Sequence, residues 1–96
     1  MNKLAISGQV TQVEDLRYTP AGLPLLNFVI SHVSEVNEAG LTRKVECDVN
    51  AVAIGDLAKT NIKLGTRLNV LGFIAKRSAK STQLVLHIKS LVQYQR

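Results

Sequence analysis

Apolar and polar residues alternate along several segments of this chain, a pattern typical of strands with one buried face. The first such segment is residues 4–10, where Leu4, Ile6 and Val10 share a face. Gly8 lies in its middle and indicates a bend, a bulge or a close approach of another backbone. Residues 4–10 are therefore the first predicted strand.

Two further segments predict strands on either side of a polar stretch. Residues 25–33 predict a largely buried second strand, and residues 43–53 predict a third with the clearest alternation of the chain. The third strand places Val45, Cys47, Val49 and Ala51 inward and Lys44, Glu46, Asp48 and Asn50 outward. This places Cys47 in the core as a buried, inert thiol. Residues 34–41 are polar and predict a loop.

Turn and helix signals separate these strands from their neighbours. Pro20 presets φ for the second position of a turn over residues 19–22, and Gly22 accepts a positive φ. Residues 54–64 break the alternation, and Asp56 is a candidate cap for a short helix. Leu57, Ala58 and Ile62 are its predicted inward residues. A single turn or an irregular connection is the alternative.

The C-terminal part predicts a β-hairpin with a basic tip. Residues 67–75 and residues 83–93 have strand patterns, and residues 76–82 join them. The joining segment holds Lys76, Arg77 and Lys80 and no acidic residue. Taken alone, it is a solvated turn that happens to be basic.

The order of elements predicts the fold. Three strands, a short helix or turn, and two more strands form one all-β domain over residues 1–96. Five antiparallel strands are too few for an ordinary two-sheet sandwich, and closure into a small barrel removes most exposed edges. We therefore expect a five-stranded OB-fold Greek-key barrel, with the short helix or turn between strands three and four.

Charge points to a polyanionic partner. The formal net charge is +5, and residues 51–96 carry eight Lys and Arg against one acid. A basic surface of this kind most often meets nucleic acid, although charge alone is a weak indicator. An anionic membrane would require an amphipathic basic helix, which the pattern lacks. No signal-peptide or membrane-spanning pattern is present, and we expect a cytoplasmic protein.

The OB-fold arrangement predicts where the cations meet. Its binding surface lies on strands two and three, between the one–two loop and the four–five loop. Six cations are expected to border that groove: Arg17, Arg43, Lys44, Lys76, Arg77 and Lys80. Lys89 on the last strand and Tyr18, the best stacking candidate, complete the predicted site. Phe28 is expected in the core, and Phe73 in the core or at a dimer contact, with the groove as its alternative place.

Other chemistry has little support. The sequence shows no paired carboxylates in a plausible pocket, no supported Ser/His/Asp order and no phosphate-binding glycine loop, so we expect no enzyme. His32 and His87 have no metal-ligand spacing around them, and no cofactor is predicted. Two alternatives remain open: an OB-type protein-interaction module and an RNA-binding domain. RNA binders of this fold typically cluster aromatic residues on strands two and three, which this chain does not.

Several motifs resemble one bacterial family. Residues 17–28, RYTPAGLPLLNF, are similar to the corresponding stretch of bacterial single-stranded DNA-binding proteins, and more so to the primosomal replication protein N, or PriB, family. The segments LAISG (residues 4–8), EAG (residues 38–40) and GTRLNVLGFI (residues 65–74) leading into LVLH (residues 84–87) agree with it. Together they cover nearly the whole chain in the family's order.

The resemblance implies a homodimer that binds single-stranded DNA when stalled replication forks restart. Its implied partners are the primosomal helicase and helicase-loading proteins. General coating proteins of the wider family carry a long tail with an acidic tip, whereas this sequence ends on the basic Arg96, which favours the primosomal group.

The family's DNA-contacting residues carry over only in part. Its basic positions match Arg17 and Arg43, and its lysine-bearing loop matches residues 76–82, about two residues shorter than in the enterobacterial form. A tryptophan that contacts DNA in that form falls at Glu46, and an aromatic residue near the start of strand three is replaced by Leu41. We therefore expect charge to carry most of the binding.

Overall fold

A computed structural model describes residues 1–94 of the chain, which form six strands and one short 3-10 helix. The strands are β1 (Leu4–Val13), β2 (Arg17–Tyr18), β3 (Pro24–Glu38), β4 (Leu41–Ile54), β5 (Arg67–Lys76) and β6 (Leu84–Tyr94), and the 3-10 helix spans Gly55–Lys59. The five long strands are the five predicted ones. The terminal Arg96 lies outside the described residues.

The five long strands close into a barrel. The order in the sheet is β1-β5-β6-β4-β3, and β1 also pairs with β3, which joins the two ends. The β4–β6 pairing is parallel and the others are antiparallel. This connectivity confirms the predicted OB-fold, with β2 added as a two-residue strand on β3.

The predicted inward faces meet in one core. Among the described residues, the buried apolar side chains of the strands include Val10, Leu26, Phe28, Ile30, Ala51, Ala53, Leu68, Val70, Leu86 and Ile88. Ile30 and Leu68 have an exposed fraction of 0%. Full burial of a side chain of this size contributes about 1.5–3 kcal/mol to folding. The two-residue period thus determines which face of each strand points into the barrel.

Gly8 marks the place where β1 crosses over β3. A Cβ atom on Gly8 would lie 2.4 Å from the carbonyl oxygen of Ser31. Of the three interpretations of this glycine, the close backbone approach is therefore the correct one. The bulge in β1 lies farther along, between Val10 and Gln12.

The prediction of a loop over residues 34–41 was wrong. β3 and β4 continue through this region and pair without a break from Leu25 opposite Ile54 to Glu38 opposite Leu41. A two-residue turn joins them, in which Ala39 has φ 55° and Gly40 has φ 81°. Two positive φ values in a two-residue turn match the right-handed twist of a hairpin. The polar residues of this region belong to a two-stranded ribbon, formed by β3 and β4, that extends beyond the core.

That ribbon also overturns the predicted burial of Cys47. The side chain follows the expected alternation but is exposed, and Cys47 lies opposite His32 on β3. Alternation predicts burial only where a core lies beneath the strand. The distal half of the β3–β4 ribbon, residues 33–46, has mostly exposed residues on both faces.

The connection between β4 and β5 follows the predicted packing but not the predicted cap. Ala58 and Ile62 are buried and Leu57 is half-buried. Asp56 lies in the first turn of the 3-10 helix, and the capping position is Ile54, which makes no side-chain capping bond. Within residues 1–94, no helix combines the length and apolar content needed to cross a membrane.

Candidate nucleic-acid interface

Arg17 is held at the base of the β3–β4 ribbon by the short strand β2. Arg17 pairs with Leu25, and the turn that follows is the predicted one. The backbone N–H of Gly22 donates to the carbonyl oxygen of Thr19 at 2.8 Å, and the N–H of Leu23 donates to Thr19 Oγ1 at 3.1 Å. This turn fixes the backbone that carries Arg17.

The β5–β6 loop, residues 77–83, has internal hydrogen bonds that position Arg77. The backbone N–H of Arg77 donates to the carbonyl oxygen of Gln83 at 2.9 Å, and Arg77 Nε donates to Gln83 Oε1 at 2.8 Å. Gln83 N–H donates to Ser81 Oγ at 2.9 Å, and Lys76 Nζ donates to the carbonyl oxygen of Ala79 at 3.2 Å. The predicted hairpin with a longer basic loop is confirmed.

Arg17 and Arg77 border the same cleft on the outer face of the barrel. The cleft has a volume of about 160 Å³, and its other lining residues are Leu25, Asn27, Val52, Ile54, Val85 and His87. None of these described lining residues is acidic, although Glu14 lines an adjoining depression that also touches Arg77. A guanidinium offers two parallel N–H donors to a phosphate. The cleft thus combines two phosphate donors with a mainly apolar floor.

Arg43 and Lys44 lie elsewhere. Lys44 pairs with Glu35, which is ten positions along β3 from Leu25, the partner of Arg17. Ten residues of strand span about 33 Å. The expectation of one groove bordered by all six cations is therefore wrong for these two. Their distance follows from the length of the ribbon, which the predicted loop had concealed.

Both distal cations also have acidic partners. Arg43 forms an ion pair with Glu38, and Lys44 Nζ lies 3.3 Å from Glu46 Oε2. Glu46 is thus the ion-pair partner of Lys44 on the same strand. Paired in this way, Arg43 and Lys44 offer less net charge to a phosphate than Arg17 and Arg77 do.

The remaining predicted site residues are exposed but do not line the cleft. Lys76, Lys80 and Lys89 are exposed, the last on β6 two positions beyond His87. The side chain of Tyr18 is 62% exposed, and strand alternation points it to the side of β2 opposite Arg17. The predicted stacking residue is therefore absent from the cleft that the two arginines form.

An aromatic pair that the sequence did not suggest lies beside the cleft instead. The rings of Phe73 and His87 stack with centroids 4.9 Å apart and an interplanar angle of 8°. Phe73 is half-buried on the outer face and does not belong to the core cluster, so the core is wrong as its place, whereas a dimer contact or the groove stays a prediction. The register of the β5–β6 hairpin could have indicated this pair. In the register that pairs Lys76 with Leu84, Phe73 pairs with His87. The predicted strand ends, residues 75 and 83, would have paired Phe73 with Val85.

No metal site accompanies this surface in the described part of the chain. Residues 1–94 contain no group of three or more His, Cys, Asp or Glu side chains placed to hold a metal ion. The interactions that the surface offers are hydrogen bonding, charge and stacking.

Comparison with known proteins identifies relatives along nearly the whole chain. A family model described as "another single-strand binding protein family" matches residues 2–90. Replication restart protein PriB of Nitrosomonas europaea is 44% identical over 90 residues, which cover 92% of this chain and 83% of the relative. PriB of Bordetella pertussis is 44% identical over 91 residues, with 93% and 85% covered.

Solved structures agree with these relatives. PriB from Ralstonia solanacearum superposes with a TM-score of 0.88 at 35% identity, covering 99% of each chain. The single-stranded DNA binding protein from Thermus aquaticus gives a TM-score of 0.79 at 20% identity, covering 99% of this chain and 50% of that one. At 20% identity, the similarity to the Thermus aquaticus protein shows a common fold.

Proposed function

This chain belongs to the single-strand binding protein family and, within it, to the replication restart protein PriB group, and we propose that it binds single-stranded DNA during replication restart. It acts without catalysing a reaction. Its cations contact the phosphates, and the strand runs along the outer face of β3 and β4 with little base specificity.

The cleft between Arg17 and Arg77 is the observation that carries this proposal. Two guanidiniums from segments 60 positions apart border one concave surface, at the β2 and β5–β6 loop positions that OB-folds use for oligonucleotides. Lys76 and Lys80 extend the positive charge along the loop, and Lys89 extends it along β6. Arg43 and Lys44, at the distal end of the ribbon, contact the bound strand more weakly.

Fluorescence anisotropy with labelled oligo-dT and with a duplex of equal length tests this function. The wild-type protein should bind the single strand more tightly, and the double variant Arg17→Ala/Arg77→Ala should lose at least about a hundredfold in affinity, since each charged hydrogen bond contributes roughly 1.5–3 kcal/mol. The matched control is Lys59→Ala/Lys63→Ala, which removes the same charge away from the cleft. Equal losses in both variants, or no binding by the wild type, would reject the proposal.

A homodimer is part of the proposed function, and the edge of β1 supports it. Leu4 to Gln9 pair with β5, whereas pairing of β1 with β3 begins only at Gln9. In the described residues, the other edge of the first half of β1 has no strand beside it. His32 Nδ1 contacts the Ser7 carbonyl oxygen there at 2.7 Å. An unpaired strand edge is a template for pairing with a second copy.

Bridging the primosomal helicase to helicase-loading proteins is the second proposed activity. The distal half of the β3–β4 ribbon supports a protein contact, because Val36 and Leu41 are 44% and 70% exposed and lie opposite the charged Arg43 and Glu38. Exposed apolar residues ringed by charge are typical of protein-binding sites. The variant Val36→Ser/Leu41→Ser should weaken recruitment of the purified helicase to DNA-bound protein and leave oligo-dT binding unchanged. Recruitment at wild-type strength would rule this surface out.

A further inference from the structure

The stacked pair Phe73 and His87 belongs to a row of side chains that crosses the outer face of the barrel. Phe73 pairs with His87 between β5 and β6, His87 with Val52 between β6 and β4, and Val52 with Asn27 between β4 and β3. The neighbours of His87 and Val52 along their strands, Leu86 and Ala51 among them, point into the core. The row therefore lies on the outer side of the sheet, where Phe73, His87 and Asn27 are half-buried and Val52 is buried between its neighbours.

One end of this row forms the floor of the arginine cleft. His87, Val52 and Asn27 line the cleft, whereas Phe73 does not. His87 thus has Phe73 on one side and the cleft on the other. An imidazole ring backed by a parallel benzene ring is restricted in its rotation, so little conformational entropy remains to be lost when a ligand packs against it.

We propose that His87, backed by Phe73, is the stacking platform for one nucleobase of the bound strand. Arg17 and Arg77 hold the adjoining phosphates, and the Asn27 amide on the floor faces the edge of the stacked base. Unpaired bases stack on aromatic side chains, histidine included, with tolerance for sequence because every base has a π-face. This subsite rests on the proposed function and makes part of the binding depend on bases.

The chemistry of the cleft favours a nucleotide over a bare phosphate. Val52 and Val85 are buried by the protein itself, whereas Leu25 is half-buried and Ile54 is exposed. An inorganic anion would use the guanidiniums and leave Leu25, Ile54 and the ring of His87 without a ligand group against them. A nucleotide has a charged part for the arginines and a flat apolar part for the floor. Phe73 acts as a positioning residue, since it touches His87 and lies outside the lining of the cleft.

The test compares oligo-dT with an oligonucleotide of equal length made of abasic deoxyribose phosphate. Anisotropy titrations would use the wild type, His87→Ala, His87→Phe and the control Ser90→Ala, an exposed position on the same strand. Circular dichroism and thermal melting would confirm that each variant folds. His87→Ala should lose about five- to 150-fold in affinity for oligo-dT. Its affinity for the abasic strand should stay within about twofold of the wild type, because phosphate contacts do not use the ring.

Two further variants separate a stacking role from a merely structural one. His87→Phe keeps an aromatic face and should retain oligo-dT binding. Phe73→Leu should lower the ratio of oligo-dT to abasic affinity, and Phe73→Tyr should restore it. A structural role for the pair would change binding of both strands together and leave that ratio unchanged.

The outcomes also distinguish the two proposals. Equal affinity of the wild type for both strands, or equal losses in His87→Ala, would overturn the stacking subsite while leaving charge-driven binding of single strands in place. Failure of the wild type to bind either strand would overturn the proposed function itself. A selective loss for oligo-dT supports both.

Discussion

Gly72 lies at a close approach of β5 to β6, directly before Phe73 of the aromatic pair. A Cβ atom there would be 1.9 Å from the carbonyl oxygen of His87, and the strand register shifts between Leu71 and Gly72. Because the obstructing atom belongs to the backbone of a paired strand, a side chain fits only if β6 moves. This glycine allows β5 to lie against β6 with Phe73 stacked on His87.

Gly72→Ala should therefore destabilise the protein and disturb the stack. We expect the free energy of unfolding to fall by about 2 kcal/mol, or the melting temperature by roughly 10 °C, as for other overpacked sites. Thermal denaturation measures this effect. Ser90→Ala on β6 is the control and should change stability by about 0.5 kcal/mol at most. A melting temperature equal to that of the wild type would contradict this expectation, since it would show that β6 moves to accept the added methyl group without loss of stability.

Arginines differ in what they can offer to DNA. Arg77 is held by Gln83, a neutral residue, whereas Arg43 is paired with Glu38. A phosphate must compete with the carboxylate for Arg43 but not for Arg77.

Arg77→Ala should thus lower oligo-dT affinity about tenfold, and Arg43→Ala about twofold or less. Glu38→Gln frees Arg43 without removing it, and in that background the loss on Arg43→Ala should grow. Anisotropy at one low salt concentration measures the affinities of the wild type, the three single variants and the double variant Glu38→Gln/Arg43→Ala. The same loss for Arg43→Ala as for Arg77→Ala would mean that the distal ribbon is as important as the cleft.

At the scale of elements, the β3–β4 ribbon shows how far a pattern of alternation can predict structure. Alternation placed Phe28 and Ala51 inward correctly because a core lies beneath them. It could not place the end of the ribbon, since residues 34–38 are polar except for Val36, belong to a ribbon with two mostly exposed faces and have the composition of a loop. Only long-range pairing, from Leu25 to Glu38, distinguishes a ribbon from a loop.

The distal half of this ribbon should exchange its amide hydrogens faster than the half on the barrel. Residues 33–46 have little apolar packing beneath them, so local opening costs little free energy. Hydrogen-exchange mass spectrometry should show faster exchange in residues 34–45 than in residues 26–30 and 49–53. Equal protection in both halves would mean that another chain covers the ribbon in solution.

The β5–β6 hairpin shows how sensitive a site is to register. Local pattern left both hairpin ends uncertain by one residue, and that error in each strand moved the partner of Phe73 from His87 to Val85. The arginine of its loop could be predicted because a basic segment between two apolar strands is a local feature. The aromatic platform could not, because it depends on pairing across strands.

At the scale of the whole molecule, barrel closure brings the segments of the proposed binding cleft together. β1 joins β5 to β3, and β6 lies beside β4, so that the β5–β6 loop reaches over the base of the ribbon. Element order and the OB-fold were enough to predict that Arg17 and Arg77 converge. They were not enough to show that Arg43 and Lys44 lie far from the cleft, because that depends on the length of β3.

The proposed dimer also concerns the whole molecule. Light scattering after size-exclusion chromatography should give twice the 10.5 kDa mass of one chain at micromolar concentration. The unpaired edge of β1 is the expected contact, because it has no neighbouring strand in the described residues. A mass of one chain at all concentrations would contradict a dimer.

The central claim is that cations around the cleft bind a single strand through its phosphates. Its most direct test is a salt titration of oligo-dT affinity for the wild type and for the variant Lys76→Ala/Arg77→Ala/Lys80→Ala. The logarithm of affinity should fall linearly with the logarithm of salt concentration. The slope should be shallower in the variant by about 0.7 for each phosphate that it no longer neutralises, or roughly 2 in all. An affinity that barely changes with salt, or a variant with wild-type affinity and slope, would contradict the claim.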